Sequence, residues 1–205
     1  MNTADAAKNE LMDKAHQLEV SMARFIRHQS LLEKPANISI YDLFDIDDLK
    51  EIMIPFYEST GLGVALYDEN HQLVVSEGWQ KICTNFHQKH PKANHSCIES
   101  ENYFKQNFEP NKAISYKCKN GLWDIAYPIF LDENLIGSIS FGQFFFDDEE
   151  IDKTFFVKQA EKFNFDQEAY ISQLRKVPII NRLKIDSYVK LFVKIIEKTA
   201  KLGEL

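Results

Sequence analysis

The apolar positions of this chain change period along its length. From about Ala6 to Leu32 they follow a helix: Leu11, Leu18, Phe25 and Leu32 recur every seven residues, with Ala15 and Met22 four positions after Leu11 and Leu18. This is an a/d seam of about three heptads, free of Gly and Pro, with Gln29 as a polar lapse. Such a helix either pairs with a second copy of the chain, giving a homodimer, or lies on its own domain. Spacing leaves both readings open. Pro35 ends the segment, because proline cannot continue a helix and restricts the residue before it. A second helix is expected from near Asp45 to Thr60-Gly61. Its opening run Asp45-Ile46-Asp47-Asp48 puts carboxylates where the helix dipole favours them, and Pro55 predicts a kink.

The period then falls to two. Val64-Ala65-Leu66-Tyr67 and Gln72-Leu73-Val74-Val75 read as strands joined by the turn Asp68-Glu69-Asn70-His71. Helices are expected from Gln80 to about His90, where Pro91 breaks the pattern, and from about Ser96 to Phe108. Three more strands follow, Ala113 to Lys119, Leu122 to Leu131 and Leu135 to Phe146. Asn120-Gly121 marks the first hairpin and Asp132-Glu133-Asn134 the second. After Phe146 the chain reads as helical, with an interruption at Pro178 and a last helix from about Asn181 to Leu202. Two strands, a helical insert and a three-strand meander give an α+β fold: a five-stranded antiparallel sheet with helices, in the element order of PAS-like and GAF-like sensors. The expected organisation is an N-terminal helix over 1–36, a sensor domain over 37–180 and a C-terminal signalling helix over 181–205. A long exit helix predicts an effector domain in a longer chain.

Composition narrows the function. The chain has 205 residues and a net charge of -7, which gives no basic surface for nucleic acid. No apolar run approaches the ~18 residues that span a bilayer, and the polar start is no secretory signal, so a cytoplasmic location is expected. No Gly-x-Ser-x-Gly, phosphate-binding glycine loop or His-Glu-x-x-His is present, so the chain is not read as an enzyme.

The remaining chemistry lies in cysteines, aromatics and one amide. Cys83, Cys97 and Cys118 lack the Cys-x-x-Cys spacing of a zinc finger, yet the expected fold brings all three to one end of the sheet. His87, one turn after Cys83, faces the same way, and His90 and His95 are close in sequence. Three thiolates plus one further ligand would suit zinc or an iron–sulfur cluster; three buried, inert thiols are the alternative. Gln143 stands in the apolar run Ile139-Ser140-Phe141-Gly142-Gln143-Phe144, where its amide requires a partner, either a ligand or the backbone. Gly137 and Gly142 leave room above the sheet. Trp79, Tyr116, Trp123, Tyr127 and Phe141 supply pocket walls, the first four with polar tips.

The run Tyr116-Lys117-Cys118-Lys119-Asn120-Gly121-Leu122 resembles the aromatic-x-Cys-x-x-Gly-Leu pattern of the PocR sensory-domain family. Pro128-Ile129, Ile136-Gly137 and Gly142-Gln143 are similar to its later elements. Leu43 to Leu49, Thr60-Gly61-Leu62, Cys83 and Cys97 are similar to its earlier ones. The resemblance covers roughly Tyr41 to Ile196. It implies a PAS-like fold that senses small organic molecules such as short diols, placed upstream of a DNA-binding, kinase or other signalling domain. The ligand residues expected are Tyr116, Trp123, Phe141, Gln143, Trp79 and Tyr127. The rival expectation is a metal or redox sensor centred on Cys83, Cys97 and Cys118.

Overall fold

The computed structural model describes residues 38–200 together with Lys14 and Met22. The heptad seam lies outside the described residues except for Met22, which is helical and exposed. The described chain opens with a helical turn, α1 (Ile40–Leu43), and α2 (Ile46–Thr60). Asp45 caps α2 by accepting from the backbone N–H groups of Asp47 and Asp48, and the left-handed Gly61 ends it. The helix continues through Pro55.

Strands β1 (Gly63–Asp68) and β2 (Leu73–Glu77) come next, then a π-helical turn (Cys83–His87) and α3 (Pro91–Gln106). The meander is β3 (Ile114–Lys117), β4 (Trp123–Leu131) and β5 (Asn134–Phe146). Helices α4 (Lys153–Phe163) and α5 (Gln167–Leu174), a two-residue strand β6 (Ile179–Ile180) and α6 (Arg182–Thr199) complete the chain. Five strands pair antiparallel in the spatial order β2-β1-β5-β4-β3, which is the PAS-like α+β fold that the alternation predicts.

Three local expectations change. The sheet gains a sixth strand, because β6 pairs parallel with the end of β5, and the carbonyl of Pro178 accepts from Phe145 N–H at 2.9 Å. Two residues after a proline carry no readable period. The helix expected from Gln80 to His90 contracts to the π-helical turn, closed by Gln88 N–H to the Cys83 carbonyl at 2.9 Å. Pro91 does not merely interrupt: it is the first residue of α3, where its missing N–H costs nothing, and the His90 ring caps that end by accepting from Ala93 N–H.

Strand alternation gives the sheet two unlike faces. Val64 and Leu66 of β1, Ile125 and Ile129 of β4, and Ile139 and Phe141 of β5 point to one side, where α1, α2 and α6 cover them. Phe56, Phe141 and Phe192 meet edge to face there, with ring centroids 4.6 Å to 5.9 Å apart. Helix α6 is thus part of the core, through Ile185, Val189, Phe192, Val193 and Ile196. A second cluster of Ile82, Leu122, Phe145, Phe156 and Tyr170 joins α4 and α5 to the end of the sheet. The opposite sheet face carries Gly63, Ala65, Ser140 and Gly142, too small to fill the space beneath the π-helical turn and α3. Among the described residues no helix is long and apolar enough to cross a membrane.

Phe192 is fully buried where α6 meets the sheet. Phe192→Ala should lower unfolding stability by roughly 3–5 kcal/mol, whereas Leu183→Ala, on the exposed start of the same helix, should change it by under about 0.5 kcal/mol. Urea denaturation of the two variants checks the contrast.

Candidate sensor cavity

The unfilled face encloses a cavity of about 70 Å³. At roughly 10–15 Å³ per water-sized group, it accommodates on the order of five non-hydrogen atoms. Its floor is Gly63, Ala65, Ser140 and Gly142; its walls include Tyr67, Trp79, Phe104 and Tyr116. All three cysteines line it, as do His71, His87, Glu101, Asp124 and Gln143.

The π-helical turn supplies Cys83 and His87. Four residues apart on a wide turn, both point inward and are buried. The His87 Nε2 lies 2.7 Å from the Tyr170 hydroxyl. That hydroxyl donates to Gln159 Oε1 at 2.5 Å, Gln159 Nε2 donates to Asn120 Oδ1 at 3.0 Å, and Asn120 Nδ2 donates to the Ala93 carbonyl at 3.0 Å and to Cys97 Sγ at 3.2 Å. A backbone carbonyl can only accept, so the Ala93 contact fixes the direction of the whole chain. Asn120 must present its oxygen to Gln159, Gln159 its oxygen to Tyr170, and Tyr170 must accept from His87. His87 therefore carries its proton on Nε2. Its Nδ1 is left as a lone-pair acceptor with no protein partner. Burial holds the ring neutral, lowering its pKa to about 4.

Two more buried polar atoms lack partners, His71 Nε2 and the Tyr116 hydroxyl, which lies near Ser100 but outside hydrogen-bond geometry. With His87 Nδ1 these are all the unpaired buried side-chain polar atoms among the described residues, and each belongs to a residue that lines the cavity. Leaving such an atom unpaired costs about 1–3 kcal/mol, a cost that a ligand or water within hydrogen-bond reach would relieve.

The carboxyls of Asp124 and Glu101 face the same space. Burial, then the charge of Glu101, pushes Asp124 up to about 7 from the ordinary 3.8. Burial likewise raises Glu101, against the opposing charge of Lys105. Gly142 makes the Asp124 position possible, since a Cβ there would come within 2.0 Å of Asp124 Oδ1. The thiols are also raised by burial, Cys97 to about 11 and Cys118 to about 12, with Cys83 well above its usual range. They are protonated, unreactive groups in this state.

Gln143 reaches the cavity through a β-bulge. Its φ is 65°, in the left-handed region, and the register jumps from Gly142 opposite Asp124 to Phe144 opposite Trp123. The amide is partly satisfied by the backbone, because Gln80 N–H donates to Gln143 Oε1 at 2.7 Å. Trp79 and Tyr116 also line the cavity.

The other three expected ligand residues face elsewhere. Phe141 is in the core between Phe56 and Phe192. Trp123 packs on Phe146 and donates to Glu149 at 2.8 Å. Tyr127 lies beside Val193 and Glu197 of α6. Simple alternation puts Trp123, Tyr127, Phe141 and Gln143 on one face; the bulge moves Gln143 to the other. His90 is used as a helix cap, and His95 is exposed beside Glu99. Among the described residues no group of three or more His, Cys, Asp or Glu side chains is placed to hold a metal ion.

The cavity and relay residues that sequence reasoning passed over are Asp124, Glu101, His71 and the bonded set of Asn120, Gln159 and Tyr170. Asp124 had a signal, a carboxylate inside the apolar strand Trp123 to Leu131. The relay had none, because its members lie up to 83 residues apart.

Comparison with known proteins supplies the family. The family profile described as "Sensory domain found in PocR" matches residues 42–204. The chain belongs to the PocR sensory-domain family. Two solved structures, both of RsLOV, are similar to it. One, of a single-residue variant of RsLOV, shares 11% identity at a TM-score of 0.31, over 75% of this chain and 96% of that one. The other, "Structure of RsLOV d2 variant", shares 12% identity at a TM-score of 0.29, over 72% and 92%. Comparison with curated proteins returns no match.

The buried carboxyl generates a pH prediction for this PocR domain. Between about pH 7 and pH 4 the folded chain holds a proton at Asp124 that the unfolded chain has released, so this group adds stability as pH falls. His87 works the other way: unfolded it protonates near 6.5, folded near 4, so it removes stability over that window. Asp124→Asn should therefore stabilise the domain at pH 8 by roughly 1–3 kcal/mol and make acidification from pH 7 to 5 more damaging than in the unaltered chain. Denaturant titrations at these pH values check both signs.

Proposed function

We propose that the domain is a non-catalytic, cytoplasmic input module. A small polar organic molecule fills the cavity between the sheet and the π-helical turn, and the terminal helices pass the change to an effector. The observation that carries this reading is that the three unpaired buried atoms, His71 Nε2, His87 Nδ1 and the Tyr116 hydroxyl, all belong to residues lining one cavity. Binding there replaces missing hydrogen bonds without breaking existing ones. The relay makes the site communicative, since a ligand that moves His87 acts on Tyr170 of α5 and Gln159 of α4 directly. The switch operates to the extent that the ligand prefers one arrangement of these helices over another.

The metal-centred reading has one observation in its favour, three thiols on the same cavity wall. Protonated thiols would have to ionise and rearrange to close on an ion, so we rank it second.

A thermal-shift panel of short diols, alcohols, amines and organic acids tests the first reading, with metal analysis of protein purified without oxygen as its control. A true ligand at about 100 times its Kd should raise Tm by roughly 5–10 °C. Trp79→Ala and Tyr116→Phe should weaken binding, while Trp123→Ala and Tyr127→Ala should leave affinity unchanged. Sensitivity to the second pair alone would move the site to the other face of the sheet. Stoichiometric zinc or iron would favour the metal reading.

A further inference from the structure

The chemistry of the cavity wall goes one step further than its existence. Two carboxyls, Asp124 and Glu101, line it, and no Lys or Arg does. Lys105, the cation that acts on Glu101 and on His71, is exposed one turn further along α3 and is not part of the lining. The one nitrogen whose state the relay fixes, His87 Nδ1, is an acceptor and is fully buried without a partner. The remaining lining includes the aromatic residues Trp79, Tyr67 and Tyr116 beside the three neutral thiols. Acceptors and aromatic side chains around a space with no lysine or arginine in its lining favour a positively charged guest. A carboxylate guest would meet two half-buried carboxyls with no cation in the lining to offset them.

We propose that the ligand of this cavity is a small organic cation, a protonated primary amine of about five non-hydrogen atoms, held by Asp124 and Glu101 with a second donor group on His87 Nδ1. The proposal rests on the reading of the cavity as a ligand site and adds the charge of the ligand. Both carboxyls are raised by burial; Lys105 opposes the rise at Glu101, no cation does so at Asp124, and an ammonium group would supply one. An amino alcohol meets both requirements, with the ammonium for the carboxyls and the hydroxyl for His87. Its hydroxyl donates to the ring without disturbing the proton on Nε2.

Three probes of nearly equal size isolate the charge: 2-aminoethanol, ethylene glycol and glycolate. Calorimetry on the intact chain should give 2-aminoethanol an affinity at least about tenfold above ethylene glycol, with no heat from glycolate. Asp124→Asn should lose about tenfold or more for 2-aminoethanol and change ethylene glycol by less than about threefold. Glu101→Gln, at a less buried position, should lower the same affinity in the same direction. Equal or tighter binding of ethylene glycol, or 2-aminoethanol affinity that survives both substitutions, overturns the assignment. So does zinc binding that needs both Cys97 and Asp124, since the acidic wall would then serve a metal. If 2-aminoethanol fails at about 50 mM while a neutral or acidic molecule of the wider panel binds, the charge assignment falls and the ligand site stands. No binder in either set removes both.

Discussion

One hydrogen-bonded chain holds the sensing end of this domain together. It runs from His87 through Tyr170, Gln159 and Asn120 to Cys97, and it ties the π-helical turn, α5, α4, the β3–β4 turn and α3 to one another. Each member is buried or nearly so, and each amide spends both ends on the chain. In a low-dielectric interior such a network is strong when complete and costly when one link is missing. Its two ends, His87 and Cys97, both line the cavity. The cavity is therefore bounded by the same bonds that order the helices around it. A ligand acting on His87 acts on those helices without any intervening element.

The opposite face of the sheet has a different task. Phe56, Phe141 and Phe192 interlock there with the aliphatic side chains of α2 and α6, giving the fold its hydrophobic stability. That division lets the cavity face carry destabilising features: a left-handed Gln143, two half-buried carboxyls and three unpaired polar atoms. A left-handed non-glycine residue costs on the order of 1–3 kcal/mol, and proteins tolerate such strain where binding uses it. Gly142 shows how closely the parts are fitted, since its missing side chain is the space that Asp124 occupies.

Much of the architecture was legible in the sequence because the strands alternate cleanly. Leu122 to Leu131 and Leu135 to Phe146 carry the period of two on which pairing depends, and the resemblance at Tyr116 to Leu122 pointed to the right family. The site was legible only in outline. Gln143 stood out as an amide among phenylalanines, but nothing about glutamine announces a positive φ, so its neighbours Trp123, Phe141 and Tyr127 were placed on its side of the sheet. Asn120-Gly121 read as a two-residue hairpin; the structure puts only Gly121 at positive φ and uses the Asn120 amide as a structural link. Asp124 was passed over because carboxylates are usually solvated, and this one is not. Tyr170 and Gln159 belong to helices that look like ordinary amphipathic packing until the fold brings them beneath His87.

The claim on which the account turns is the direction of the buried chain, because it makes Nδ1 of the cavity-lining His87 an acceptor without a partner. Nitrogen-15 NMR of the histidine side chains at neutral pH reads that directly. The account predicts that His87 is a single neutral tautomer with its proton on Nε2, and that it stays neutral down to about pH 5, above its lowered pKa of about 4. A proton on Nδ1, or an imidazolium at pH 6, would contradict it.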